Sequence, residues 1–262
     1  MKIRIGNRMG PTEHISKKII KADGQVLNGE SVILKEHVLT VIVNENQVFR
    51  LICTQTHLRE LVVGRLFTDG LIESPEEIEK LWFCQSENEA RVFLNHMIDW
   101  EEWKGEEPSC CTSNRIFLSP SGKRELKPVP KASWKPEWIY DLSRRFLSGV
   151  EIHRATQGTH SCFLSRNGEI CFSSEDIGRH NAMDKAIGFA LLKGIPLSEC
   201  LLYTSGRVPV DMVRKVISAG IPVLVTKAVP TAESIELAGE YGLTLICRAY
   251  PDQFEIYETG SE

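Results

Sequence analysis

The stretch CLLYTSGRVPVDMVRKVISAGIPVLVTKA, Cys200 to Ala228, decides the reading of the fold. CLLYTSG reads as a strand, VPVDMVRKVISAG as a helix and IPVLVTKA as a second strand. The pattern continues on both sides. A helix, HNAMDKAIGFALLKG (180–194), precedes it; a helix, TAESIELAGEYG (231–242), and a strand, LTLICRA (243–249), follow. Strands alternating with helices of this length imply crossover connections and a largely parallel or mixed sheet with helices on its faces, an α/β fold. Further upstream, WIYDLSRRFLSG (138–149) is an amphipathic helix. HSCFLSRNGEICFSS (160–174) is a hairpin with Asn167-Gly168 as its two-residue turn.

The first half has a different texture. After 30 residues without a pattern, HVLTVIVNENQVFRLICTQ (37–55) alternates about Asn44-Glu45-Asn46 as a β-hairpin. THLRELVVGRLFTDG (56–70) has helical periodicity with a stop at Gly70, and EKLWFCQSENEARVFLN (79–95) reads as a second hairpin. Periodicity is lost between Trp100 and Pro136, where Pro128, Pro130 and Pro136 mark a connector. The expected organisation is a smaller β-rich α+β part over 1–130 and an α/β domain over 131–262.

Composition narrows the function. The chain has 262 residues, 42% of them hydrophobic and 25% charged, with a net charge of −4 and a pI of about 6.0. That length allows a real core. The balance argues against a nucleic-acid binder, which would carry a basic face. No apolar run reaches the roughly 20 residues of a membrane span, and the start MKIRIGNRMG is too poor in apolar residues for a signal peptide. A cytoplasmic protein without membrane association is expected. Of eight cysteines, Cys53, Cys84, Cys162, Cys171, Cys200 and Cys247 sit in apolar or alternating stretches and read as strand or core residues. No C-x-x-C pair is present, so no zinc site is expected.

Cys110 and Cys111 are the exception, in the polar segment EEPSCCTSNR (106–115) on the connector. A disulfide between them is disfavoured, because adjacent Cα atoms lie about 3.8 Å apart, below the roughly 4.4 Å that disulfides accept. Two further motifs could carry chemistry. Ser205-Gly206-Arg207 joins a strand's carboxyl end to a helix, where free N–H groups, the helix dipole and an Arg suit anions; it also reads as an ordinary tight turn. SSEDIGRHNAMDK (173–185) gathers Glu175, Asp176, Arg179, His180, Asn181, Asp184 and Lys185 at a helix entry. Polar recognition of a nucleotide or pterin and simple capping explain it about equally well. His160 reads more readily as a satisfied buried histidine than as a catalytic one.

EDIGRHNAMDKAIGFALLKG (175–194), SGRVPVDMVRKVISAGIPVL (205–224), VPTAESIELA (229–238) and GLTLI (242–246) resemble, in that order, the formate dehydrogenase accessory sulfurtransferase family, FdhD. ELVVGRLFTDGLI (60–72) and TQGTHSCFL (156–164) are similar to further segments of it, so the resemblance runs roughly from Val38 to Tyr257. It implies a cytidine-deaminase-like three-layer α/β/α domain with the smaller N-terminal part, and a homodimer. It also implies a sulfurtransferase that takes sulfur from a cysteine desulfurase as a cysteine persulfide. The sulfur passes to the bis-guanine-dinucleotide molybdenum cofactor of formate dehydrogenase. The resemblance places the persulfide on Cys111, with Cys110 as neighbour or substitute. The cofactor's nucleotide end falls to Gly178, Arg179, His180, Asn181, Ser205, Gly206 and Arg207, with Arg248 and Asp252 in the C-terminal cofactor segment. Two departures stand out: Thr112 replaces the Gly of the family's S-x-C-G loop, and Tyr250 and Gln253 replace two arginines near the end. A cofactor chaperone without sulfur transfer is the alternative. A zinc hydrolase of the deaminase class would need H-x-E with P-C-x-x-C, and the sequence has neither.

Overall fold

The computed structural model describes residues 10–98 and 125–257. In chain order the elements are β1 (Thr12–Ile20), β2 (Val26–Leu34), β3 (His37–Val43), β4 (Asn46–Cys53), α1 (Leu58–Thr68), β5 (Ile78–Phe83) and β6 (Glu89–Leu94). After the connector come α2 (Pro136–Leu147), α3 (Glu151–Thr156), β7 (His160–Arg166), β8 (Glu169–Asp176), α4 (Arg179–Lys193), β9 (Cys200–Thr204), α5 (Val210–Ser218), β10 (Val223–Thr226), α6 (Ala232–Glu240), β11 (Thr244–Cys247) and β12 (Glu255–Ile256).

The strand–helix–strand reading of 200–228 is β9–α5–β10, and its continuation builds a mixed six-stranded sheet in the order β12-β11-β10-β9-β7-β8. β9, β10 and β11 run parallel, while β7, β8 and β12 pair antiparallel. Both faces are covered. Phe163, Leu201, Tyr203, Val223, Val225 and Ile246 pack against Ile139, Leu142 and Phe146 of α2. Cys162, Leu164, Leu202, Leu224 and Leu245 join the core that holds Met183 and Ile187 of α4, Met212 and Val216 of α5 and Ala238 of α6. Strands buried on both faces read as unbroken apolar runs, which is why CLLYT and PVLVT were legible. Three layers, α/β/α, result.

Both sequence-expected hairpin turns are present. Asn44 and Glu45 (φ 44° and 66°) close β3–β4, and Asn167 and Gly168 (φ 54° and 83°) close β7–β8. Left-handed backbone at both central positions matches the twist of the flanking strands. β3–β6 form a second sheet in the order β4-β3-β6-β5. Its buried face, with Leu39, Val41, Phe49, Leu51 and Val92, belongs to the same core cluster as α1 and α4. The two helices cross at minimal distance. A Cβ on Gly64 would lie 1.9 Å from the Asp184 carbonyl oxygen, and one on Gly188 would lie 1.9 Å from that of Glu60. The core therefore runs without a break from the N-terminal sheet into the α/β layers.

Two expectations are corrected. The opening residues are not without structure: Thr12–Ile20 and Val26–Leu34 pair in unbroken antiparallel register as a separate ribbon. β1 is almost wholly exposed and β2 is half-buried only at Gly29, Ser31, Val32 and Leu34, so neither carries a regular buried–exposed alternation. Of the six cysteines read as strand or core, Cys53, Cys162, Cys200 and Cys247 are buried. Cys171, though exposed, lies on strand β8 and fits the reading; only Cys84 departs from it, half-buried just beyond β5.

Candidate functional site

Parallel strands end on one edge of a sheet, and here that edge collects the candidate residues. β9 delivers Ser205, Gly206 and Arg207, β10 delivers Lys227 and β11 delivers Arg248. β7 begins there with His160, and β8 ends there with Glu175 and Asp176, ahead of Gly178 and the first turn of α4.

The SGR turn is stitched to the start of β7. The Ser205 peptide N–H donates to the Ser161 carbonyl (3.0 Å). Its Oγ accepts the Ser161 N–H (3.0 Å) and lies 3.1 Å from His160 Nδ1. Gly206 is buried, and its carbonyl accepts the Thr226 hydroxyl at 2.7 Å. A Cβ there would lie 2.9 Å from Arg179 Cβ, so only glycine lets the turn rest on the helix entry. Arg179 Nε is buried with no hydrogen-bond partner among the described residues. Arg207 is exposed. Two guanidinium groups and two helix starts thus share one edge, an arrangement suited to phosphate.

His180 is buried, and its Nε2 lies 2.6 Å from Asp211 Oδ2 on the first turn of α5. Burial alone would raise the Asp211 pKa. The hydrogen bond and charge of His180, the Met212 N–H and the Arg179 charge outweigh it and hold the carboxyl below its ordinary value. Burial, followed by the charges of Arg179, His153 and His180, pushes His160 below the usual histidine value against an opposing pull from Asp176. His160 is therefore a neutral imidazole at neutral pH.

The rest of the DIGRHNAMDK segment faces inward. Asp176 accepts N–H groups from Thr54 (3.0 Å) and Gly178 (2.9 Å) and pairs with Lys185 at 2.6 Å. Asn181 is wholly buried, donating to the Ile52 carbonyl (2.8 Å) and to Asp176 (2.9 Å). Lys185 also donates to the Thr54 and Glu175 carbonyls, each at 3.1 Å. Glu175 accepts the Ile152 and His153 N–H groups (2.8 and 2.6 Å) and so caps α3. These residues hold the helix entry against the end of β4.

The structure thus brings together Gly178, Arg179, His180, Ser205, Gly206 and Arg207, with Asn181 behind them. Arg248 and Asp252 stand apart, two strands along. Arg248 is exposed at φ 44°, its N–H bonded to the Ala228 carbonyl (3.0 Å) and its Nε 3.7 Å from the Glu255 carboxylate. Asp252 is exposed in the turn before β12. Cys110 and Cys111 lie outside the described residues. Sequence reasoning missed Asp211, whose place one turn after Arg207 resembles any acid at a helix start. It also missed Lys227, which the parallel reading of β10 could have placed on the edge.

The other thiols are distinguishable. Burial pushes Cys53 and Cys162 far above the usual thiol value, and Cys200 and Cys247 up to about 12. Cys84 shifts down: the Ser86 hydrogen bond, helped by the N–H groups of Glu89, Asn88 and Ser86, outweighs desolvation. Among the described residues no three His, Cys, Asp or Glu side chains stand in a metal-holding group. No described helix is long and apolar enough to cross a membrane.

A three-layer α/β domain with a basic strand-end edge, joined through one core to a β-rich N-terminal part, is the class that fold and site define. The model of the FdhD/NarQ family matches residues 34–262, and the chain belongs to that family. The sulfur carrier protein FdhD of Staphylococcus haemolyticus is 31% identical over 239 residues, 90% of each chain. That of Bacillus subtilis is 30% identical over 238 residues, 89% of this chain and 91% of its own. A crystal structure from Desulfotalea psychrophila, assigned to a formate dehydrogenase accessory protein, matches in fold. Its TM-score is 0.78 at 24% identity, over 94% of this chain and 96% of its own.

Proposed function

We propose that this chain is a sulfur carrier in formate dehydrogenase maturation. It receives sulfur from a cysteine desulfurase on Cys111 and delivers it to the bis-guanine-dinucleotide molybdenum cofactor. The observation that carries the reading is the length of the likeness: relatives named sulfur carrier proteins match about nine-tenths of the chain. The loading step is a thiol exchange. The Cys111 thiolate attacks the outer sulfur of the donor's persulfide, the donor's S–S bond breaks, and the donor cysteine leaves as thiolate. Cys110 is the neighbouring thiol.

The strand-end edge supports the second half of the reading. A guanine dinucleotide carries pyrophosphate charge, and the contact of Gly206 with Arg179 makes one basic platform of the two motifs. Arg207 and Arg179 hold phosphate, and Ser205, Gly206 and Gly178 shape the backbone around it. His180, set by Asp211, supplies a polar contact. Asn181, fully buried, supports the entry from behind. Arg248 and Asp252 flank the far end, and the working unit is a homodimer.

The test is sulfur loading. Incubation with a cysteine desulfurase and isotope-labelled cysteine, followed by peptide mass mapping, is expected to add one sulfur to the peptide carrying Cys110 and Cys111. Sulfur on Cys84 or a buried cysteine alone would overturn the assignment. No sulfur on any cysteine would leave the cofactor chaperone.

A further inference from the structure

Lys227 follows β10 on the strand-end edge and is half-buried there. Other cations near the sheet's ends are matched: Lys185 has Asp176 at 2.6 Å, and Arg248 lies 3.7 Å from Glu255. Lys227 has no carboxylate partner among the described residues. Its Nζ instead stands 5.6 Å from the centre of the Phe146 ring, a perch that favours a cation and fixes its place. Strand alternation gives the face. Val223 and Val225 of β10 pack toward α2, and residue 227 continues their parity. Arg179, on which Gly206 rests, opens α4 on the opposite face of the sheet.

The two loops that carry Arg207 and Lys227 are clamped together. Thr226 and Thr204 stand in parallel register, and the Lys227 N–H donates to the Thr204 carbonyl (3.4 Å). The Thr226 hydroxyl donates to the Gly206 carbonyl (2.7 Å), and the Val208 N–H donates to the Val229 carbonyl (3.4 Å). Arg207 therefore sits between two ties to the loop of Lys227, and the spacing of the two residues along the edge is fixed. Arg179 Nε, buried without a partner among the described residues, is a donor that a bound anion would satisfy.

We infer that Lys227 holds one phosphate of a diphosphate that lies across the ends of β9 and β10, while Arg207 and Arg179 hold the other. The inference rests on the phosphate reading of this edge. A guanidinium presents a planar fork that one phosphate fills with two parallel hydrogen bonds. The neighbouring phosphate carries its own charge and needs a separate cation. An ammonium on a four-carbon stem meets it as a point charge, without competing for the fork. Because the two loops are already tied, little ordering cost is left for binding. Lys227 is thereby a specificity residue: it makes the edge a seat for nucleoside diphosphates in preference to monophosphates.

Calorimetric titration of GDP and of GMP into the full chain tests it, with wild type, Lys227→Met, Lys227→Arg and Arg207→Ala. Methionine keeps an apolar stem on Phe146 and removes the charge. Lys227→Met and Arg207→Ala should each weaken GDP binding about tenfold or more. Lys227→Arg restores the charge and should bind GDP within about threefold of wild type. GMP has a single phosphate, so at least one of the two charge-removing substitutions should leave its affinity within about twofold. Lys227→Met that binds GDP like wild type, where Arg207→Ala does not, overturns the inference and leaves the phosphate reading standing. Two substitutions that weaken GMP as much as GDP overturn it as well, because both cations would then share one phosphate. So does a loss in Lys227→Arg equal to that in Lys227→Met, which would trace the effect to packing on Phe146. A wild type that binds no GDP removes the phosphate reading and the inference together.

Discussion

Arg207 tests the strand-end edge most directly, because it is exposed and its loss disturbs no packing. Losing a charged hydrogen bond costs about 1.5–3 kcal/mol, so Arg207→Ala should weaken GDP binding roughly ten- to hundredfold by calorimetry. Equal affinities in equally folded proteins would move the site elsewhere. His160 gives a pH signature. Its folded pKa lies below the ordinary value, so between the two the unfolded chain binds more protons and stability rises with pH. Its contribution is complete above about 6.5 and is lost as pH falls from there toward the folded value. His160→Gln should flatten the dependence of urea stability on pH between about 7.5 and 5.5; an unchanged slope would show that other groups carry it. At this scale the sequence pointed to two motifs that the fold brings together, but not to which of their side chains face inward. Asp176, Asn181 and Lys185 look as polar as Arg179 in the string, yet their partners Ile52 and Thr54 lie over 120 residues away. Only folding shows which side chains face in.

Elements were legible where burial imposed a period. β9, β10, α4 and the hairpins turning at Asn44 and Asn167 follow from one- or two-sided burial, whereas β1 and β2 do not, since neither has one face regularly buried and the other exposed. The Asp23-Gly24 turn was present, but without patterned flanks a turn alone does not predict a hairpin. Nor could the string reveal that α1 and α4 touch backbone to backbone. Gly64 and Gly188 sit inside helices where Ala would raise helix propensity by roughly 1 kcal/mol each. Contact reverses that sign. With a Cβ 1.9 Å from the Asp184 carbonyl, the helices must separate and loosen the core between them. Gly64→Ala should therefore destabilise by about 3 kcal/mol or more despite its better propensity, read by urea denaturation. A stabilised Gly64→Ala would contradict the close crossing.

At the scale of the molecule, the change of texture near residue 130 suggests two parts, yet the strongest internal ties cross it. The Lys185–Asp176 pair, both side chains fully buried, reaches the end of β4 through Thr54. A second buried cluster joins Arg65 and Asp69 to Asp184 and Lys215: Arg65–Asp69 is 2.6 Å and Lys215–Asp184 is 2.8 Å. Two acids and two bases balance there, so neither side is left as an unpaired charge. Such pairs are weak evidence of net stability, but removing one partner leaves the other buried alone, at about 3–5 kcal/mol. Lys185→Met strands Asp176, and because that carboxylate anchors both Thr54 and the α4 entry, the loss should reach both halves together. Urea unfolding followed by backbone circular dichroism and by hydrogen exchange in β3–β6 and β7–β11 should show one coincident transition. In Lys185→Met that transition should move as a unit to lower urea. If the N-terminal strands instead exchanged at lower urea than the six-stranded sheet, the two parts would be separate cooperative units, and the buried pairs would be bonds across an interface rather than within one core.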